Sequence, residues 1–187
     1  MGTYKYMQKL WKKPKESLGP LWKERLMQWR REPVTLRLAG PTRLDRARSV
    51  GYVAKQGIFV VRQKVTTGPH RRTWTGGRMS KNMRTIKALR KSYQLIAEER
   101  ASKGFSNCEV MNSYWLANDS KHYWYEVVMV ERNHPVVLAD VRLRGLATTG
   151  RVFHGRTSAG KKSRGLRSKG MGSEKMRPSR RSNYRRA

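Results

Sequence analysis

The sequence predicts an α+β fold built on a small antiparallel sheet. Three observations carry that expectation. Residues 108–116 and 123–131 are rich in aromatic and β-branched side chains and flank a turn at Asn118-Asp-Ser120, as in an antiparallel pair. Ile86, Leu89, Tyr93, Ile96, Ala97 and Ala101 share one helical face, which Gly104 closes. Only 37% of the 187 residues are hydrophobic, so the core is modest and much of the chain lies outside it. The remainder is expected as a long basic loop and an extended basic C-terminal tail.

The other elements follow in chain order. Tyr4, Met7, Leu10 and Trp11 recur at helical spacing, and Pro14 is expected to end that helix. Leu18, Leu21, Trp22, Leu26 and Trp29 repeat the pattern as far as Pro33, with Lys23, Arg25 and Arg30 on the opposite face. Val34, Leu36 and Leu38 alternate with Thr35 and Arg37 as a short strand. Thr42-Arg-Leu-Asp45 has the form of a capping box opening one or two helical turns, with Gly51 near their end. Residues 58–66 read as a strand with Phe59, Val61 and Val65 on one face and Arg62 and Lys64 on the other. Residues 67–84 have no period, no acid and five basic residues, which marks a functional loop. From Gly150 onward Gly, Ser, Lys and Arg dominate without amphipathic period. Such a tail has too little apolar surface to offset its own ordering entropy, and is expected to order on binding.

Charge narrows the function. Lys and Arg number 43 against 12 Asp and Glu, a net +31. Residues 1–48 carry 13 basic and 4 acidic residues, residues 49–92 carry 11 and none, residues 93–141 carry 4 and 7, and residues 142–187 carry 15 and 1. One segment therefore has ordinary globular chemistry, between basic flanks. A polyanion must neutralise such a charge. Nucleic acid is the first choice and an anionic membrane surface the second. No apolar run reaches the roughly 18 residues of a transmembrane helix. The opening Met1-Gly-Thr-Tyr-Lys-Tyr-Met7 has no apolar stretch, and Tyr6 departs from the myristoylation pattern, so neither export nor a lipid anchor is expected. The sequon Asn118-Asp-Ser120 then reads as chance. Cys108 is the single cysteine and excludes an internal disulfide. A cytosolic, polyanion-bound protein is expected.

Catalytic motifs are near-misses. Gly155-Arg-Thr-Ser-Ala-Gly-Lys-Lys162 has P-loop spacing up to Lys161, but Lys162 stands where a Mg²⁺-binding hydroxyl is needed, and no strand precedes it. Its glycines and lysines still suit phosphate. Ser158 and Lys161 have the Ser-x-x-Lys spacing of penicillin-binding enzymes without the companion motifs. His70, His122, His134 and His154 are scattered and do not match zinc spacing. Glu98 and Glu99 diverge on a helix, and Glu109 and Glu126 sit in strands, where pairing with nearby bases is the plain expectation, so a two-metal nuclease is unpersuasive. Five of the six tryptophans (Trp11, Trp22, Trp29, Trp115 and Trp124) fit helix or strand faces and are expected in the core. Trp74 lies in the basic loop among Arg71, Arg72 and Arg78, where it suits stacking on an unpaired base.

Six short stretches occur in order over residues 2–166: Gly2-Thr-Tyr-Lys-Tyr-Met-Gln-Lys-Leu-Trp11, Pro41-Thr-Arg-Leu-Asp-Arg-Ala-Arg48, Gly51-Tyr-Val-Ala-Lys-Gln-Gly57, Ala97-Glu-Glu-Arg-Ala101, Asn112-Ser-Tyr-Trp115 and Thr157-Ser-Ala-Gly-Lys-Lys-Ser-Arg-Gly-Leu166. Together they resemble the archaeal and eukaryotic-type large-subunit ribosomal protein fifteen family, which is unrelated to the bacterial protein of that number. The resemblance implies a non-catalytic constituent of the large ribosomal subunit, cytoplasmic and bound to ribosomal RNA beside neighbouring ribosomal proteins. It implies an antiparallel sheet with helices on both faces and a basic tail. It implies no cofactor, metal, membrane or small-molecule substrate. The shorter, less His-rich tail after Arg167 and the length resemble the archaeal members more than the eukaryotic ones.

This reading divides the chain into N-terminal basic helices at 1–33, an α+β core at 34–141 and an RNA-binding extension at 142–187. The resemblance carries Arg43, Arg46, Arg48, Lys55, Lys161, Lys162 and Arg164 over as RNA contacts. Charge adds Arg71, Arg72, Arg78, Lys81 and Arg84 in the loop, with Trp74 among them for stacking, and Arg151, Arg156, Arg167 and Lys169 in the extension. A DNA-compacting chromatin-type protein is the rival reading, because it shares the charge.

Overall fold

A computed structural model describes residues 2–71, 86–87, 89–146 and 148–168. The N-terminal helices are α1 (Thr3–Lys12), α2 (Pro14–Leu18) and α3 (Pro20–Arg31). Pro14 opens a helix instead of only ending one, and Pro20 opens the next. Proline lacks an N–H and is tolerated in a first turn, while it pushes the preceding residue out of helical geometry. Lys13 accordingly has φ −132°.

Strand β1 (Thr35–Leu38) and helix α4 (Leu44–Ser49) come next. The expected capping box does not form. Arg43 stands at the N-cap without a side-chain cap, the Thr42 N–H donates to Glu126 instead, and Asp45 pairs with Arg43. Strand β2 spans Ile58–Thr66 as its alternation indicates. The short pieces β3 (His70–Arg71) and β4 (Ile86–Lys87) then pair, closing the base of the basic loop. Helix α5 spans Tyr93–Gly104, capped by Ser92. It starts later than the periodicity suggests, because Arg90 adopts φ 52°, which no helix can run through.

Strands β5 (Cys108–Asn118) and β6 (His122–Glu131) form the hairpin. Helix α6 (Pro135–Ala139), a 3₁₀ segment (Val141–Leu146) and helix α7 (Ser158–Ser163) complete the described chain.

The main sheet runs β1-β2-β6-β5, with every pair antiparallel. Strand β5 bulges at Met111 and at Leu116, each an extra residue against β6. Helices cover both faces. On one, α5 and α7 pack over Val61, Val110, Val127 and Met129, with Leu95, Val152 and Ala159 among them. On the other, α4 and α6 cover Val60, Tyr114, Val128 and Val130. The N-terminal helices extend that second layer. Trp11, Trp22, Trp29 and Trp124 contact in series, with ring centroids 5.9, 6.2 and 6.1 Å apart. Trp115 is half-buried on the α5 side, so all five expected tryptophans pack on the fold.

Candidate nucleic-acid interface

Some basic residues are tied to acids and carbonyls of the fold, and others are left facing outward. Arg43 bonds Asp45 at 3.3 Å and lies over the Trp11 ring at 5.3 Å, tying α1 to α4. Arg62 is buried, 2.6 Å from Glu32 and 5.0 Å from the Trp29 ring centre. Lys64 donates to the Arg30 and Glu32 carbonyls at the end of α3, where a cation also suits the helix dipole. Arg30 in turn meets Asp119 at 2.8 Å. These four cations fasten the N-terminal helices to α4 and to the sheet.

Arg46 and Arg48 remain exposed on α4. Among the described residues Arg48 makes no side-chain hydrogen bond or ion pair. Lys55 reaches Asp140 at 3.2 Å, and Arg142 grips the same carboxylate at 3.0 Å while its side chain stays 72% exposed. These donors, the Arg142 side chain first, hold the Asp140 carboxyl well below the usual range. Arg142 belongs to no quoted motif, and its place beside Arg48 and Lys55 is a product of the fold.

The segment after residue 148 docks through buried acids. Glu98 is fully buried and accepts from the Ser113 hydroxyl at 2.5 Å and the Thr157 hydroxyl at 2.6 Å. Burial raises its carboxyl above the ordinary value, against the pull of those hydroxyls and of Arg151. Thr157 also caps α7 by accepting from the Gly160 N–H. Glu109 accepts the Gly150 and Arg151 N–H groups, and the Arg151 guanidinium donates to the Val110 and Met111 carbonyls. Glu126 accepts from the Tyr114 hydroxyl at 2.5 Å. The strand acids therefore take hydroxyls and backbone N–H groups, not the basic side chains expected from sequence. Glu98 faces inward and Glu99 pairs with Lys91, so the two do diverge.

The glycines of the P-loop-like stretch serve packing. A Cβ on Gly160 would lie 2.7 Å from the Gly155 Cα, so the two backbones touch each other. Around them Arg156, Lys161, Lys162, Arg164 and Arg167 stand exposed in one short segment. Arg164 also lies across Gly155, its guanidinium 3.5 Å from the Gly155 carbonyl. The Arg71 side chain, Arg72, Trp74, Arg78, Lys81, Arg84 and Lys169 lie outside the described residues. Among the described residues no three His, Cys, Asp or Glu side chains gather to hold a metal, and no helix is long and apolar enough to cross a membrane.

The exposed Arg and Lys side chains on this small helix-covered sheet make a dense cationic surface of the kind that suits a polyanion. Comparison with known proteins identifies the family. The family model described as Ribosomal L15, of the L15e type, matches residues 2–183. The chain belongs to the L15e family. A relative from Methanococcoides burtonii, named large ribosomal subunit protein eL15, is 47% identical over 190 residues, covering 98% of this chain and 96% of its own. The Nanoarchaeum equitans protein of that name is 45% identical over 189 residues, 99% of this chain and 100% of its own. The one from Methanocorpusculum labreanum is 50% identical over 154 residues, 80% of this chain and 79% of its own. L15e proteins are structural and not enzymes, and these relatives are archaeal, as the tail and length suggested.

Proposed function

We propose that this chain is a structural constituent of the large ribosomal subunit in the cytoplasm, where it binds and braces folded ribosomal RNA. The end-to-end likeness to relatives named as large-subunit proteins carries this reading. The charge supports it. Arg46, Arg48, Arg156, Lys161, Lys162, Arg164 and Arg167 neutralise phosphates from the folded part, Arg71, Arg72, Arg78, Lys81, Arg84 and Lys169 do so from the loop and tail, and Trp74 stacks on an unpaired base. Arg43, Lys55 and Arg151 contribute at the edge of this surface while holding it in shape. The core at about 34–141 docks on RNA helices, and the 67–84 loop and the C-terminal tail enter crevices between RNA segments. Neighbouring ribosomal proteins complete its surroundings. No membrane or small-molecule substrate takes part.

Binding of the pure chain to large-subunit ribosomal RNA and to duplex DNA, across a salt series, tests this. Tighter binding to the RNA that persists at high salt is expected. Equal affinity for both would favour the DNA-compacting rival.

A further inference from the structure

A cavity of about 450 Å³ opens between the end of α4, the 3₁₀ segment and the first bulge of β5. That volume lies within the ~300–1,000 Å³ of small-ligand sites. Its floor is apolar, formed by Ile58, Met111, Leu143 and Leu146. Met111 lines it because it is the extra residue of the bulge. Gly51 keeps one wall thin. It has φ +103°, and a Cβ there would lie 2.9 Å from the Met111 sulfur. The rim is cationic. Arg48 and Arg142 are exposed, and Arg151 is pinned to the Val110 and Met111 carbonyls. Among the described lining residues Asp140 is the one acid, and Arg142 and Lys55 occupy both of its oxygens.

An apolar floor beneath arginines matches neither a bare phosphate nor a stacked duplex. A phosphate needs no apolar floor, and a stacked base cannot reach one. It matches a nucleotide turned out of its helix, with the base on the floor and the flanking phosphates on the rim. We propose that this cavity receives a single unstacked nucleotide of RNA, with Arg48 and Arg142 holding its phosphates. This rests on the RNA-binding reading above and adds a shape preference to it.

The test uses two RNA hairpins, identical except that one carries a bulged 2-aminopurine nucleotide. The full chain is expected to bind the bulged hairpin about tenfold more tightly, the gain from burying ~60 Å² of base surface on an apolar floor. The 2-aminopurine fluorescence should change on binding. Leu146→Trp, which fills the floor and leaves the charge alone, should abolish the preference while binding the continuous hairpin as before. Equal affinity for the two hairpins, with an unchanged probe, overturns the cavity assignment and leaves the RNA-binding reading standing. A preference that survives Leu146→Trp in full also overturns it. Displacement of the bulged hairpin by adenosine monophosphate at equal nucleotide concentration would overturn it too, assigning the cavity to a free nucleotide. Binding of neither hairpin above duplex DNA would instead remove the RNA-binding reading beneath it. The fluorescence readout on the unmodified chain stands whether or not the variant folds.

Discussion

Arg62 sits on β2 under the Trp29 ring, 2.6 Å from the Glu32 carboxylate. A buried ion pair stripped of one partner leaves an uncompensated charge, so Arg62→Ala is expected to cost about 3–5 kcal/mol. Replacing both partners with apolar residues of similar volume should recover most of that loss. Urea unfolding of the single and double variants checks this, and a single-variant loss near zero would contradict it. Glu98 gives a pH signature of opposite sign to the usual carboxylate. Its pKa is raised in the fold, so the native state holds the proton over a range in which the unfolded chain has lost it. Stability from this group is present below the unfolded value and is lost as pH rises through the folded one. The stability of the native sequence relative to Glu98→Gln should therefore grow as pH falls from 7 toward 4. A difference flat in pH, followed by thermal melting, would contradict the assignment.

At the scale of the element, the tryptophan series fastens α1 and α3 to the sheet. Trp22→Ala removes one of the two inner rings of the series and should cost about 3–5 kcal/mol, read as a lower urea midpoint with earlier proteolysis within residues 1–31. The contact between α7 and its preceding loop is as tight. Gly160→Ala places a methyl group 2.7 Å from the Gly155 backbone, and backbone cannot rotate away as a side chain can. Limited proteolysis should then cut within 148–168, where the native chain resists; an unchanged pattern would show that the contact yields. The sheet strands were legible because alternation and β-branched residues specify a half-buried pleat without distant help. The start of α5 was misplaced because Ile86 and Leu89 continue its spacing, while the left-handed turn at Arg90 breaks it. The docking of α7 was not legible. Val152 and Ala159 are too few to show a period, and Glu98 and Thr157 meet only after the chain has folded.

For the whole molecule, one strongly basic chain divides its cations between two tasks. Arg30, Arg43, Arg62 and Lys64 close the fold, and the exposed set around α4 and α7 faces outward. Composition and motifs marked the outward set at Arg46, Arg48, Lys161 and Lys162. They did not distinguish it from Arg43, because an inward arginine is defined by partners far along the chain. Arg142 was missed for the same reason. If Lys161 and Lys162 each neutralise a phosphate, replacing both with alanine should flatten the slope of log affinity against log salt by about 1.5–2. A slope equal to that of the unaltered chain would place those lysines away from RNA.

The most direct measurement of the central claim is sedimentation of an extract, from cells that make this chain, through a sucrose gradient at moderate and then high salt. Co-migration with the large ribosomal subunit is expected to survive salt well above the ~0.2 M that strips weak phosphate contacts. Migration with DNA, or as free protein at moderate salt, would contradict it.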